Sequence, residues 1–152
     1  MTYDYYVSSF GSFLLEEENG RLCSLPLPST PPKEMKATPL TKQTKQQLDE
    51  YLQGQRQQFT IPLSLKGSTF QQKVWLALQT IPYGETRTYQ QIAQQIGCPK
   101  GCRAVGNANN KNPIPIIIPC HRVIKKNGSL SGYALGVTRK EQVLTLEKEK
   151  SE

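Results

Sequence analysis

Histidine is nearly absent: His121 is the single one in 152 residues, and that scarcity narrows the chemistry before any motif is considered. A single histidine argues against a Cys/His zinc site, and any imidazole-dependent step has to happen beside His121. The four cysteines, Cys23, Cys98, Cys102 and Cys120, include no Cys-x-x-Cys pair, so they read as reduced thiols. Cys98 and Cys102, four apart, read as chance neighbours, and neither a metal nor a cofactor is expected. No apolar run approaches the length of a membrane span, which argues against a membrane partner. Residues 1–6 lack the basic region and long apolar region of a secretory signal, so a cytoplasmic protein is expected. There are no internal repeats.

What is present is unevenly spread. Through residue 60 there are six Lys/Arg against seven Asp/Glu, net −1; from residue 61 there are thirteen against five, net +8. Positive charge gathered in one part of a chain suggests a polyanionic partner, most simply a nucleic acid, bound more weakly as salt rises. Solvated lysines are the alternative, and the asymmetry between the two parts favours the nucleic acid.

The same basic part carries Ile-Pro-Cys-His-Arg-Val at 118–123, just after the apolar Ile116, Ile117 and Ile118. A thiol with a pKa of about 8.5 is mostly protonated at neutral pH, and an imidazole or guanidinium beside it raises the thiolate fraction. His121 and Arg122 are placed to do so for Cys120. The isoleucine run reads as a buried strand with the thiol at its mouth. Neighbours on a strand face opposite ways, so Cys120 and His121 cooperate only through a bend, which Pro119 favours, or through a bridging water. Otherwise Cys120 is a small buried hydrophobe.

Along the chain, Asn19-Gly20 between apolar runs signals a β-hairpin, residues 29–39 read as a surface connection, and residues 41–52 read as a helix. Residues 54–65 are expected to cross between two halves, 1–64 a small α/β domain and 65–152 the domain that carries the chemistry. Ser68 with Gln71 and Thr88 with Gln91 form capping boxes that open two helices, and residues 101–110 form a third. That third helix has the small residues Ala104, Gly106 and Ala108, with Arg103 as its long cation. Helix, turn and helix is the outline of a helix-turn-helix, although a packed helical hairpin has the same spacing. A last capping box, Thr138 with Glu141, starts a C-terminal helix on which Glu147 shares the face of Val143 and Leu144. A carboxylate there either bends out to solvent or finds a partner. His121 is the one imidazole available, which would complete a Cys120–His121–Glu147 relay.

The chain resembles the O6-alkylguanine-DNA alkyltransferases, also called methylated-DNA–protein-cysteine methyltransferases, over residues 65–150. The similarity rests on Phe70-Gln-Gln-Lys-Val-Trp75, Ile81-Pro-Tyr-Gly-Glu-Thr86, Tyr89-Gln-Gln-Ile-Ala93, Arg103-Ala-Val-Gly106, Asn112-Pro-Ile-Pro-Ile116, Pro119-Cys-His-Arg-Val123, Gly132-Tyr133 and Arg139-Lys140. The resemblance implies a ribonuclease-H-like α/β N-terminal domain and a mainly α C-terminal domain with a winged-helix-like helix-turn-helix. It implies a monomer that binds double-stranded DNA containing alkylated bases, turns the damaged nucleotide out of the stack, and takes the alkyl group from guanine O6, and possibly from thymine O4, onto Cys120 once and irreversibly. By the same resemblance His121 activates the thiol through a water and Glu147 supports it. Tyr89 aids nucleotide rotation and donates a proton to the leaving purine, and Asn112 braces the active-site turn. Arg103 fills the vacated stack on a helix whose Ala104 and Gly106 permit close approach, and Tyr133, Val123 and Ala134 line the lesion pocket. Leu135 stands where many members carry glycine or an aromatic, which bears on bulky alkyl groups. The competing readings are a non-catalytic lesion-binding module, which would lack the nucleophile, and a Cys-His-Glu thiol hydrolase, which leaves Tyr89, Arg103 and the basic charge without a role.

Overall fold

The computed structural model describes residues 1–26, 30–128 and 136–151. The chain divides into two compact units, Met1–Lys66 and Gly67–Glu152.

In the first unit an antiparallel sheet of order β1-β2-β3 is built from Thr2–Ser8, Gly11–Glu18 and Arg21–Ser24. The Asn19-Gly20 hairpin forms as the sequence suggests: both residues take positive φ, 54° and 75°, as a tight turn between twisted strands requires. β1 was not legible from apolar pattern, because its inward positions are Asp4 and Tyr6 rather than aliphatic residues. Helix α1, Pro39–Leu52, is capped by Thr38 and packs against all three strands. Phe13, Leu15, Leu22, Leu25, Leu48 and Tyr51 are fully buried in this unit. Residues 61–64 do not act as a bare crossing. Leu22 N donates to Pro62 O and Ser64 N to Leu22 O, both at 2.9 Å, so the segment runs parallel beside β3 and extends the sheet.

The second unit is mainly helical. Helices α2 (Thr69–Leu78) and α3 (Tyr89–Gln95) both begin with the reciprocal capping boxes expected at Ser68/Gln71 and Thr88/Gln91. Helix α4, Cys102–Asn110, follows α3 after a short turn and packs on both α2 and α3. The Trp75 indole N–H donates to Ala108 O at 2.9 Å and ties α2 to α4. Two short parallel strands, β4 (Arg87–Thr88) and β5 (Val123–Ile124), pair directly ahead of α3.

Helix α5, Val137–Ser151, begins before its expected cap: Lys140 N already bonds Gly136 O, so Thr138 lies inside the first turn. Val74, Leu78, Ile92, Val105, Ile114 and Ile118 are fully buried in the core. Among the described residues no helix is long and apolar enough to cross a membrane.

Candidate active site

Cys120 does not sit at the end of a strand. The isoleucine run folds into a tight loop in which Ile118 N bonds Ile114 O, and Cys120–Arg122 then forms a single 3-10 turn with Pro119 at its start. The reason is visible at Ile116, whose φ of 74° is left-handed, a genuine outlier for a β-branched residue. Such strain costs roughly 1–3 kcal/mol and persists only where the surroundings enforce it. Asn112 is part of that enforcement: its side-chain oxygen accepts from Ile114 N at 3.0 Å and its amide donates to Ile118 O at 2.8 Å. Asn109 Nδ2 donates to Cys120 O at 3.3 Å, gripping the backbone of the cysteine itself. The turn supplies the bend that two adjacent residues need in order to act together. Cys120, His121 and Arg122 are all buried.

Glu147 reaches this turn from α5. His121 Nε2 lies 2.7 Å from Glu147 Oε2, and the Arg122 guanidinium donates to both carboxylate oxygens, Nε to Oε1 and Nη2 to Oε2, each at 2.8 Å. Arg122 Nη1 donates to Ile81 O at 2.7 Å, the Tyr83 ring centroid lies 5.6 Å from its Cζ, and Gly84 N donates to Glu147 at 3.4 Å. The Ile-Pro-Tyr-Gly turn therefore clamps the guanidinium and carboxylate together. Gly84 has a φ of 81°, and a Cβ on it would stand 2.6 Å from Ser151 Oγ, so the turn can approach α5 this closely only with glycine.

The electrostatics follow from the geometry. Burial opposes charge on Glu147, but bonds from His121 and Arg122 outweigh it and hold the carboxyl well below its usual range. Burial, helped by the cations of Arg122 and Lys140, pushes His121 down despite the support of Glu147. The consistent state at neutral pH is an ionised Glu147 balanced by Arg122, with a neutral His121 donating its Nε2–H. Arg122 is thus directed at Glu147 rather than at the thiol, which corrects the expectation that it would stabilise the thiolate. By neutralising the carboxylate it leaves the imidazole in its basic form.

Tyr89, at the start of α3, is mostly buried, and its phenol is pushed up by burial and by the neighbouring Cys120, with the Asn109 hydrogen bond opposing. Lys140, fully buried on α5, donates Nζ to Val123 O and lies 5.9 Å from the Tyr89 ring centroid. Burial pushes it down to about 8, with the nearby Cys120 opposing. Val123, expected in the lesion pocket, is buried with its carbonyl turned to that ammonium. On α4, Arg103 and Ala104 are exposed and Gly106 is half-buried against Tyr89, whereas Ala108 faces inward. Ala108 is therefore a helix-packing residue and not part of an open small-residue face. Tyr133, Ala134 and Leu135 lie outside the described residues.

The structure thus gathers Cys120, His121, Glu147, Tyr89 and Asn112 around one turn and leaves Arg103 and Ala104 on the surface of α4. Asn109, Lys140 and the strained Ile116 were missed as parts of the site, and Arg122 was expected there with the thiol rather than Glu147 as its partner. Two of them had a signal: Lys140, Val143 and Glu147 follow the helical spacing of one face, and Asn109 lies one turn beyond the buried Val105. Nothing in the sequence announces the φ of Ile116.

Fold and site define a class: a small sheet-and-helix unit joined to a helical unit that buries one thiol beside a histidine, carboxylate and guanidinium. Residues 69–149 match the family described as 6-O-methylguanine DNA methyltransferase, DNA binding domain, and residues 1–65 match its ribonuclease-like domain. The chain belongs to the 6-O-methylguanine DNA methyltransferase family. It is 47% identical to the constitutive methylated-DNA–protein-cysteine methyltransferase of Bacillus subtilis, covering 86% of this chain and 87% of that one. It is 56% identical to a methylated-DNA–protein-cysteine methyltransferase of Mycolicibacterium paratuberculosis over 70% of this chain and 64% of the relative. The crystal structure of Mycobacterium tuberculosis OGT in complex with DNA superposes with a TM-score of 0.90 at 43% identity, covering 99% of this chain and 94% of that one. The two-domain architecture, ribonuclease-like then helical, is that of the family.

Proposed function

We propose that this protein repairs DNA by transferring an alkyl group from O6-alkylguanine, with O4-alkylthymine as a second candidate lesion, irreversibly onto Cys120. The observation that carries this reading is the buried 3-10 turn that sets Cys120 immediately before a His121 already bonded to Glu147. With Nε2 engaged by Glu147, His121 takes the thiol proton through Nδ1, by way of a water, and Glu147 stabilises the imidazolium that results. The sulfur then displaces the alkyl carbon from O6: the S–C bond forms, the C–O6 bond breaks, and the electron pair leaves with the purine. Tyr89, kept protonated by its raised pKa, donates to that purine. A thioether has no route back to a thiol here, so one molecule repairs one lesion.

In this reading double-stranded DNA is the partner, as the complex of the Mycobacterium relative suggests. Arg103, exposed on α4, occupies the gap left by the extruded nucleotide, and Ala104 and Gly106 let the helix approach closely. Asn112 is a positioning residue that holds the strained loop, and the Val123 backbone borders the base. The protein acts as a monomer, in the cytoplasm.

The test is the mass of the peptide containing Cys120 after incubation with a duplex holding O6-methylguanine. One added methyl group per molecule, without turnover, is expected. Tight lesion binding with an unmodified peptide would instead mark a non-catalytic module, and catalytic ester cleavage a thiol hydrolase. Arg103→Ala should slow transfer from the duplex more than transfer from the free base; equal losses would remove its role in the stack.

A further inference from the structure

β5 is followed by an exposed turn, residues 125–128, closed by Gly128 N donating to Lys125 O at 2.8 Å. Lys125 and Lys126 project from it and form one side of a groove of about 980 Å³. Arg103 and Gly106 of α4 form another side, and Tyr89 stands at the start of α3. No carboxylate is among the described residues that line this groove, and the charged side chains among them, Arg103, Lys125 and Lys126, are all cationic. The lysine turn is also registered to the site: Val123 pairs with Arg87 and Ile124 with Thr88, so Lys125 and Tyr89 each lie one residue past the end of the same strand pair.

We propose that Lys125 and Lys126 bind backbone phosphates of the DNA strand that carries the extruded nucleotide, across the groove from Arg103. The inference rests on the alkyl-transfer reading, which puts Tyr89 beside the departing base. Phosphates within reach of a turn fixed to Tyr89 are those flanking that base, on its own strand. An ammonium is a compact point charge that fixes position without reading sequence, so the contact holds the lesion strand whatever the neighbouring bases are. Arg103 fills the stack from one side while the lysines hold the displaced backbone from the other.

The full chain is compared with its Lys125→Ala/Lys126→Ala double variant, and both side chains are exposed, so folding is unaffected. Transfer from free O6-methylguanine to Cys120 should be equal in the two proteins. For a lesion duplex, the slope of log K against log salt should be smaller in the variant by about 1–2, since each phosphate contact contributes roughly 0.9. Lys125→Arg/Lys126→Arg should restore it. Neutral methylphosphonates at the phosphates flanking the lesion should abolish the difference between parent and variant, whereas the same linkages on the complementary strand should leave it intact. An unchanged salt slope overturns the proposal, as does a difference abolished only by complementary-strand methylphosphonates. A parent protein that accepts no methyl group from either substrate would instead sink the alkyl-transfer reading, a result the salt slopes do not mimic.

Discussion

Both units bury a carboxylate where pattern alone would place an apolar side chain, Asp4 on β1 and Glu147 on α5, and they surround it differently. Asp4 is matched by one cation, Lys45 at 2.9 Å, whose own side chain is about one-third exposed, and by the neighbouring Tyr5 N–H. Glu147 is matched by a guanidinium bonded to both of its oxygens, by an imidazole and by Gly84 N. Asp4 has what a structural tie requires: a counter-charge that water can still reach. Glu147 has more than charge balance requires, because Arg122 alone would neutralise it. The surplus partner is His121, and the effect of the arrangement is to fix the ring's tautomer and orientation beside Cys120. The first unit uses its buried charge to join strand to helix; the second uses one to aim a group.

The largest effect should come from removing the charge that the second unit aims with. Glu147→Gln keeps the shape but leaves Arg122 buried without its counter-ion, and breaking a buried pair in this way costs about 3–5 kcal/mol. For a chain of this size each kcal/mol moves Tm by roughly 2–4 °C, so a fall of about 10 °C is expected in calorimetry. Transfer from the free base, measured well below that Tm, should slow by about tenfold or more because the imidazolium loses its support. The loss should persist at pH 4, since Glu147 is held well below the usual carboxylate range and is still ionised there. A variant with parental Tm and rate would make Glu147 the equal of Asp4 and erase the contrast.

How much of this was readable in the sequence differs between the two regions for the same physical reason. Capping boxes at Ser68 and Thr88 and the Asn19-Gly20 turn are local hydrogen-bond chemistry, so they were legible from spacing. β1 was not, because its inward side chains are polar and their partners, Lys45 and Asp49, lie on α1. In the second unit the inward position of Glu147 was visible from helical period, and scarcity of imidazole named His121 as its partner. Family resemblance supplied Tyr89 and Asn112, which no periodicity marks, and gave Arg103, already visible as the long cation of a small-residue helix, its role in the stack. Arg122's commitment to Glu147 depends on the 81–84 turn arriving from far along the chain, and Ile116 is strained by loop closure around Asn112. Neither is a property of a short window, and both concern how the thiol is held. The exposed lysine pair was legible as charge but not as one side of a groove, since that needs the β4–β5 register.

A smaller effect is expected at Lys140, where the second unit carries a buried cation with no analogue in the first. Lys140→Met removes the cost of burying the ammonium but leaves Val123 O without its donor, and these opposed terms should leave the stability change within about 2 kcal/mol at pH 7. The pH dependence has a definite sign. With the folded-state pKa pushed down to about 8 from 10.5, the unfolded chain holds more protons between those values, so the parent gains stability as pH rises through that window and the methionine variant does not. Denaturation midpoints taken from pH 7 to 11 should therefore move in the parent's favour above pH 8. Parallel curves would show that the ammonium is solvated in the folded protein and that the second unit's excess charge is not buried at all.

The smallest effect belongs to Asp4. Its partner reaches water, so Asp4→Asn should cost only about 1 kcal/mol and leave transfer from the free base unchanged, because the pair joins β1 to α1 and touches no reacting group. Burial raises the Asp4 pKa, but the bonds from Lys45 and Tyr5 outweigh it and the net shift is downward. The stability it contributes is therefore complete above about pH 4 and is lost as the pH falls below that and Asp4 takes up a proton. Parent and Asp4→Asn should converge in stability under acid conditions in which parent and Glu147→Gln are still separated, because a buried guanidinium, an imidazole and Gly84 N hold Glu147, whereas the one cation on Asp4 is partly open to water. Convergence of both pairs at the same pH would mean that the two carboxylates are held alike, and that the extra partners of Glu147 add geometry without adding ionisation.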